Sequence, residues 1–550
     1  MPSNRSLVSA HELSNQVPDL VDYNLYTTDI ALHEAVLREG AGAQASSLTQ
    51  YGARLGAAHL MTLGADVNRY PPELRAFDRT GQRVDQVVFH PGWHQFMGMA
   101  FEQGMHCSAW SDPGPGAQVA RAARYILHGQ VEAGSLCPLT MTSAAIPILA
   151  REPWFNTLAP HLYSRQYDER DLPVAQKAAM MVGMGMTEKQ GGSDLRSNIT
   201  YAQPLDSAGQ WHRLNGHKWF FSSPTSDAHL LLAREGAGHS CFYVPRWLDD
   251  GQRNTVQIQR LKDKLGNRSN ASAEVEFSDV LGRRVGPQGR GIATLVEMAS
   301  TTRLDCVLGS AAVLRQALVQ ALHHAYHRRA FGALLIQQPL MRQVLADLVL
   351  ESEAATMLAM RLARSFDTPD DPAEQALRRM LTPAAKFWVC KRTVEATAEC
   401  MEVWGGNGFI EEGPMPRLLR EAPVNSIWEG SGNVMCLDVL RAVRRHPEQA
   451  IQLVEGLVQE HAQQPLLVQA AHTLIGQFRM TDEVQQLGAR YTAQLLVLLV
   501  QADLMLRHTP DWLARIFIES RLGAPGGRVF GGQAIAALAS DALFARAWPH

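Results

Sequence analysis

The spacing of apolar residues along the chain constrains its fold more than any other feature. Long stretches with apolar residues three and four positions apart lie on both sides of one block, 184–290, which is rich in Gly, Ser and Asn and has short alternating runs. The first spacing is typical of amphipathic helices, and the second of strands separated by turns. We therefore predict an α+β protein in which helical regions flank one compact β domain.

The same pattern divides the chain into four regions. We predict an N-terminal helical domain with a polar extension over 1–183, a β domain over 184–290, a helical bundle over 291–445 and a further helical domain over 446–550. Long amphipathic stretches in the bundle favour antiparallel helices joined by short loops. We place these helices at Ile292–Arg329, Leu340–Phe366 and Ala384–Val403.

Composition and missing motifs exclude several classes of protein. The 51 basic and 54 acidic residues give a net charge of −3, so the chain as a whole is not attracted to nucleic acid or anionic membranes. The seven scattered cysteines form no CxxC unit, which favours free thiols in a reducing compartment. No Rossmann, P-loop, HExxH or GxSxG motif occurs, and no apolar run is long enough to span a membrane. We expect a soluble cytoplasmic protein without a metal centre.

Two motifs in the β region are candidates for ligand binding. Gly185–Asp194 combines adjacent glycines with two hydroxyl side chains, which lets backbone N–H groups approach an anionic or planar ligand. Gly216–Ser223 contains three consecutive aromatic residues followed by two serines, and could present a stacking wall to an aromatic ligand. The alternatives are an ordinary glycine-rich turn for the first motif and a buried strand for the second.

Three motifs in the bundle region are further candidates. Glu429 follows an apolar Ile-Trp pair and precedes a glycine-rich turn, so burial would raise its pKa and suit it to act as a general base. The alternative is a carboxylate that caps the following helix. Arg328–Gly332 offers a cation beside an aromatic residue, and Gly405–Gly408 offers a backbone nest for phosphate. A solvated arginine and a helix C-cap are the alternatives there.

Taken in order, these motifs resemble those of the acyl-CoA dehydrogenase family. The resemblance covers about residues 180–440. Its elements are the flavin-binding signature at Gly185–Asp194, a KLGxR element at Lys264–Arg268, an RxxFG element at Arg328–Gly332, the loop at Trp404–Phe409 and the catalytic segment at Ile427–Ser431. Within the family, the long forms MTEKQGGSD, GHKWFFS and PVNSIWEGSGN, the N-terminal segment Asn24–Leu32 and the extra C-terminal region resemble the AidB branch, the flavoproteins of the bacterial response to DNA alkylation.

The resemblance implies a site and a reaction. FAD would lie between the β domain and the bundle, and Glu429 would abstract the α-proton of an acyl-CoA thioester during α,β-dehydrogenation. Arg328, Gly405 and Gly406 would serve the FAD of a neighbouring subunit, which implies a homo-oligomer, expected to be a tetramer. The other implied cofactor-binding residues are Met184, Gly185, Met186, Thr187, Glu188, Lys189, Gln190, Gly191, Gly192, Ser193, Phe220, Phe221, Ser222, Ile427, Trp428, Gly430, Ser431, Gly432 and Asn433.

Three departures from the family pattern predict an altered substrate pocket. Trp428 stands before the catalytic Glu where the family usually has Tyr, Phe220 stands where the family usually has Trp, and Pro339 occupies the position of a usual Gln. We therefore expect the redox fold to be kept while the pocket is narrowed or reshaped.

The AidB resemblance also implies that the last domain binds duplex DNA. Residues 446–550 contain seven arginines, no lysine and nine acidic residues, a net charge of −2, so they do not form a basic DNA-binding domain by composition. Local arginine patches repeated in an oligomer could still bind phosphates. The candidates are Arg441, Arg444, Arg445 and Arg521. The alternative function is a metabolic acyl-CoA dehydrogenase with an accessory helical domain.

Overall fold

The computed structural model describes residues 14–205, 210–523 and 537–548. The N-terminal region is helical apart from one antiparallel hairpin. Its elements are α1 (Ile30–Arg38), α2 (Ala45–Leu55), α3 (Ala58–Arg69), β1 (Glu73–Phe77), β2 (Arg83–Val88), α4 (Pro91–Glu102), α5 (Ser108–Ser111), α6 (Ala117–Val131), α7 (Leu136–Leu149) and α8 (Ala159–Leu162).

The β1–β2 hairpin lies in a region that we predicted to be mainly helical. Its turn is held by Asp78, whose carboxylate accepts hydrogen bonds from the backbone N–H groups of Thr80 (2.8 Å) and Gln82 (2.9 Å). Gly81 adopts φ 85°, a conformation that side chains rarely allow. Local turn chemistry therefore creates two strands inside a helical layer.

The central region forms one seven-stranded sheet. Its strands are β3 (Val182–Gly185), β4 (Tyr201–Pro204), β5 (Trp211–Ser222), β6 (Ala228–Glu235), β7 (Gly238–Pro245), β8 (Val256–Leu261) and β9 (Ser272–Val285). They pair in the order β3-β6-β4-β5-β9-β7, with β8 on β9, and the β6–β7 pairing closes five strands into a ring. Apolar residues from both faces are buried, one set against α7 and the other inside the ring.

Of the residues after 290 that the structure describes, most are helical, and two short strands form one hairpin. The bundle contains α9 (Gly291–His327), β10 (Arg329–Ala330), β11 (Ala333–Leu334), α10 (Pro339–Asp367), α11 (Pro372–Val403), α12 (Gly406–Phe409), α13 (Met415–Glu421) and α14 (Gly432–Arg445). The last region contains α15 (Pro447–Gln459), α16 (Pro465–Phe478), α17 (Asp482–Leu487), α18 (Ala489–His508), α19 (Asp511–Leu522) and α20 (Ala537–Ala547). Helix α11 begins at Pro372 rather than at the predicted Ala384, because it continues through Pro383.

Helix α9 forms the axis of the molecule. It packs against α6, α7, α10 and α11. By length and composition it could cross a membrane, but its most apolar 18-residue window is wholly buried inside the protein. A buried ion pair fixes it against α6: Arg121 donates to both carboxylate oxygens of Asp305, at 2.8 and 2.7 Å, and each side chain is only 1% exposed. Arg121 also donates to Met105 O, and Thr140 donates to Asp305, so this pair is well supplied with hydrogen bonds.

We expect Asp305→Asn to destabilise the protein by about 3–5 kcal/mol, because it leaves the Arg121 charge buried without a counter-ion. The measurement is the midpoint of thermal or urea unfolding. As a control, Arg121→Met combined with Asp305→Leu removes both charges and should recover much of the loss. An unchanged midpoint for Asp305→Asn would show that the pair does not stabilise the α6–α9 contact.

Candidate active site

Glu429 lies in the short loop that connects α13 to α14. Its backbone adopts φ 61°, and the following Gly430 adopts φ 110°. A left-handed conformation is strained for a residue with a long side chain, and it persists only where the surroundings hold it.

Two cations hold this loop through its carbonyl groups. Lys386 of α11 is 1% exposed and donates to the carbonyls of Asn425 and Gly430, each at 2.9 Å. Arg303 of α9 donates to the carbonyl of Glu429 at 3.0 Å, and its guanidinium is in turn paired with Asp438 at 2.8 Å. The strained backbone is therefore fixed from two helices of the bundle.

The carboxyl group of Glu429 faces Thr302 of α9. The distance between Thr302 Oγ1 and Glu429 Oε2 is 2.5 Å. Burial raises the pKa of Glu429 above its ordinary value, although the hydrogen bond from Thr302 and the charges of Lys386 and Arg303 oppose that rise. A partly buried carboxyl with a raised pKa is suited to take up and release a proton, which is the role we predicted for it.

The loop that carries Glu429 (residues 422–431, the Glu429 loop) and the sheet meet in one apolar cluster. Trp428 is half-buried, donates to Asn425 Oδ1 at 2.9 Å and packs against a cluster that includes Met184 of β3. Burial raises the thiol pKa of Cys137 of α7 to about 11; nearby Ser222 opposes that rise, and the charge of Glu429 adds to it. Ser222 at the end of β5 and the carboxyl of Glu429 are therefore both close enough to this thiol to affect its pKa.

The hydroxyl side chains of the glycine-rich segment, Thr187 and Ser193, stand on either side of its two glycines. Thr187 is half-buried and Ser193 is exposed, while Met184 and Gly185 are buried in the sheet. Gly192 passes so close to Thr187 that a Cβ there would lie 2.8 Å from the Thr187 hydroxyl. The turn therefore needs glycine to fold over that hydroxyl. Lys189 and Gln190 are exposed, whereas Met186 and Gly191 are partly buried.

Glu188, one of the residues predicted to bind the cofactor, differs from the rest of this segment because its side chain is used inside the protein. Its carboxylate pairs with Lys218 at 2.7 Å, and both side chains are 0% exposed. It also accepts hydrogen bonds from the backbone N–H groups of Ile199 (2.7 Å) and Thr200 (3.2 Å). Burial lowers the pKa of Lys218 to about 8. Glu188 therefore holds the loop to β5 and has no free face for a ligand.

The aromatic run on β5 divides between two faces. Phe220 is 57% exposed and Ser222 is half-buried, whereas Phe221 is 0% exposed and stacks on His229 with ring centroids 4.0 Å apart. Successive side chains of a strand point to opposite faces, so Phe221 belongs to the core inside the sheet. The prediction that Phe221 lines a ligand is wrong, and Phe220 and Ser222 remain candidates.

The exposed residues of this region fit FAD. Phe220 offers an exposed aromatic face, and Thr187 and Ser193 offer hydroxyl groups beside a glycine turn. An exposed aromatic face suits a planar ring, and glycine-rich backbone suits a diphosphate. In the Glu429 loop and at the start of α14, Ile427, Ser431 and Asn433 are exposed, and Gly430 and Gly432 are partly buried.

Arg328 and the Gly405–Gly406 turn lie far from Glu429 within one chain. Arg328 follows Thr302 by 26 positions along α9, which corresponds to about 39 Å of helix. His324 of the same helix end stacks on Trp404, with ring centroids 4.7 Å apart. The structure therefore brings these two predicted elements together at the far end of α9, away from the carboxyl.

The four arginines predicted to bind DNA have different environments. Arg441 and Arg445 are exposed on α14. Arg444 donates to Gln485 Oε1 (2.8 Å) and to the carbonyl of Asp482 (3.0 Å). The prediction for Arg521 is wrong, because its side chain is 4% exposed and pairs with Asp347 and Glu351 inside the protein.

Sequence reasoning missed the residues that support Glu429. Thr302, Arg303 and Lys386 lie in helices and belong to no motif, although a lysine within the buried stretch Ala384–Val389 is an unusual charge. It also missed Arg490 of α18, which donates to Asn433 Oδ1 at 2.9 Å.

We expect Lys386→Met to loosen the loop that carries Glu429, because the carbonyls of Asn425 and Gly430 lose their buried donor. Hydrogen–deuterium exchange of residues 425–434 should become faster while the β domain remains protected. Arg364→Met, which removes an exposed cation from α10, is the matched control and should leave exchange unchanged. Unchanged exchange in Lys386→Met would show that Lys386 does not hold the loop in place.

Three family models match successive parts of this chain. Residues 15–169 match the N-terminal domain of the adaptive response protein AidB, residues 183–280 match the middle domain of acyl-CoA dehydrogenases, and residues 289–444 match their C-terminal domain.

Similar proteins are known along nearly the whole chain. AidB of Escherichia coli is 49% identical over 521 residues, which cover 94% of this chain and 95% of that protein. The crystal structure of ACDH-11 from Caenorhabditis elegans in complex with C11-CoA has a TM-score of 0.85 at 25% identity and covers 94% of both chains. The structure named Bd2924 apo-form has a TM-score of 0.81 at 29% identity and covers 90% of this chain and 99% of that one. These matches confirm the predicted family and fold class, and the chain therefore belongs to the acyl-CoA dehydrogenase family of FAD-binding oxidoreductases, within its AidB branch.

Proposed function

We propose that this protein binds FAD and removes hydrogen from an acyl-CoA thioester, with Glu429 as the base, and that it also binds duplex DNA as an alkylation-response protein. The observation that supports the chemistry most directly is the carboxyl of Glu429, which accepts a hydrogen bond from Thr302 and whose pKa is raised by burial. The altered pocket, with Trp428 beside the base, leads us to expect weak rather than rapid acyl-CoA turnover. The acyl-CoA ligand of the ACDH-11 structure supports the substrate class.

Each group of the site has a separate task in this proposal. The ionised Glu429 carboxylate takes the α-proton, which is acidic enough for removal only when donors stabilise the developing enolate. Phe220, Ser222, Thr187 and Ser193 hold and orient FAD, which supplies the acceptor for the hydride when it is bound. Lys386 and Arg303 keep the base in place through the carbonyls of its loop.

We also propose a homotetramer in which one subunit completes the cofactor site of another. Arg328 lies about 39 Å along α9 from the residue that contacts Glu429, so it cannot serve the site of its own chain. Phe331 belongs to the same motif as Arg328, and Phe409 follows the Gly405–Gly406 turn. Their side chains are 98% and 81% exposed. Large exposed aromatic side chains are typical of surfaces that bind a partner.

The support for DNA binding comes from two exposed arginines. Arg441 and Arg445 are exposed on the last helix of the bundle and repeat in every subunit of an oligomer. Phosphate contacts of this kind are independent of sequence and sensitive to salt. A cytoplasmic location is part of this proposal.

We expect Glu429→Gln to slow anaerobic reduction of the flavin by acyl-CoA about 10²–10⁴-fold, because the amide cannot take a proton. Flavin content should stay at the wild-type level. For the wild type, the rate should increase with pH through the pKa of Glu429, at a midpoint above that of an ordinary Glu, because burial raises that pKa. Glu412→Gln, which changes an exposed glutamate, is the control. Full activity in Glu429→Gln would exclude Glu429 as the base.

We expect the double variant Arg441→Gln with Arg445→Gln to weaken binding to duplex DNA and to lower the slope of log K against log salt by about one for each lost phosphate contact. Fluorescence anisotropy at several salt concentrations measures both quantities. Arg479→Gln, an exposed arginine after α16, is the control. If the wild-type protein bleaches rapidly with one acyl-CoA and does not bind DNA at low salt, the alternative function, a metabolic dehydrogenase, is correct.

A further inference from the structure

Thr302 stands between two hydrogen-bond acceptors. Its residue is 1% exposed, and its Oγ1 lies 2.5 Å from Glu429 Oε2 and 3.1 Å from the carbonyl oxygen of Ala299, one turn earlier in α9. A hydroxyl group has one proton to donate and two lone pairs that accept. Thr302 can therefore donate to only one of these oxygens at a time.

The protonation state of Glu429 decides which oxygen receives the proton. When Glu429 is a carboxylate, it can only accept, so Thr302 donates to it. When Glu429 has taken up a proton, its O–H donates to Thr302 Oγ1, and the threonine proton turns to the carbonyl of Ala299. The heavy atoms of Thr302, Glu429 and Ala299 keep the same positions in both states, and each of these polar groups keeps a hydrogen-bond partner.

We propose that Thr302 is a positioning residue for Glu429, whose hydroxyl turns between Glu429 and Ala299 so that the base stays hydrogen-bonded in one place before and after it takes a proton. This inference rests on the proposed function of Glu429. It adds a group that lies outside the sequence motifs and that reaches the base from a different helix.

The other charged and titratable groups around Glu429 do not replace this contact. Lys386 and Arg303 donate to backbone carbonyls of the loop, and Asp305 is paired with Arg121. The thiols of Cys137 and Cys306 are buried, and burial raises the pKa of each, so both are neutral near pH 7. The hydrogen bond that the structure gives this carboxyl comes from Thr302.

The position of Thr302 is fixed by the helix that carries it. Asp305 lies three residues later in α9, and its pairing with Arg121 restrains the rotation of the helix about its own axis. Thr302 therefore contacts Glu429 from a restrained helix. A group that orients a base has to be held in place in this way.

The test compares Thr302→Val, which keeps the shape and removes the hydroxyl, with Thr302→Ser, which keeps the hydroxyl. Infrared difference spectra over a pH series report the carboxyl stretch of Glu429, which is identified by its loss in Glu429→Gln. We expect Thr302→Val to move the midpoint of this titration upward by about one pH unit, because the carboxylate loses its donor. Thr302→Ser should titrate as the wild type does.

A second measurement follows the reductive half-reaction with an acyl-CoA. In Thr302→Val the rate should fall about tenfold at pH values below the wild-type midpoint and recover at high pH, since one pH unit changes the ionised fraction tenfold. A rate lowered equally at every pH would indicate a packing defect and would overturn the proposal. Flavin absorbance and circular dichroism check folding, and Thr302→Ala provides the same comparison if valine does not fit.

The outcomes separate this inference from the proposed function. An unchanged titration of Glu429 in both Thr302→Val and Thr302→Ala would overturn the role of Thr302, whatever the activity. If Glu429→Gln keeps full turnover, the proposed function is wrong, and the infrared titration still decides whether Thr302 binds this carboxyl.

Discussion

The buried ion pair between Arg121 and Asp305 is the interaction on which the rest of the site depends. A charged pair without solvent exposure is favourable only when its geometry and hydrogen bonds are nearly complete, so it tolerates little sliding or rotation of α9 against α6. Thr302 and Arg303 lie less than one turn before Asp305 and share that restraint. Through Arg121, the N-terminal domain therefore helps to set where Glu429 lies.

The sequence predicts those parts of the fold and the site that are local in the chain. Apolar spacing predicts the helical regions and the β domain, and the compact motif around Glu429 predicts a base with a raised pKa. The contacts that position this base are not local, because Thr302 lies 127 residues and Lys386 lies 44 residues from the atoms they bind. A helical pattern identifies a buried face, but it does not identify the partner on the other side.

The errors in the predictions from sequence have the same origin, which is contact between residues that lie far apart in the chain. Phe220 and Phe221 are adjacent aromatic residues, and only the register of β5 against β9 decides which of them enters the core. Glu188 appeared to be part of a ligand-binding turn, but Lys218, on a strand 30 residues away, pairs with it. The arginines of the last region illustrate the point further: Arg521 and Arg546 form ion pairs with Glu351 and Glu353 of α10. This region is acidic on balance, and several of its cations join it to the bundle.

The left-handed backbone at Glu429 makes the base a costly residue for the fold. Glycine or asparagine would adopt φ 61° with less strain, and the difference is on the order of 1 kcal/mol. Replacement of Glu429 by glycine would therefore remove the carboxyl and relieve the backbone at the same time. The protein thus exchanges some stability for a carboxyl at this point, and selection for thermal stability alone would tend to remove that carboxyl.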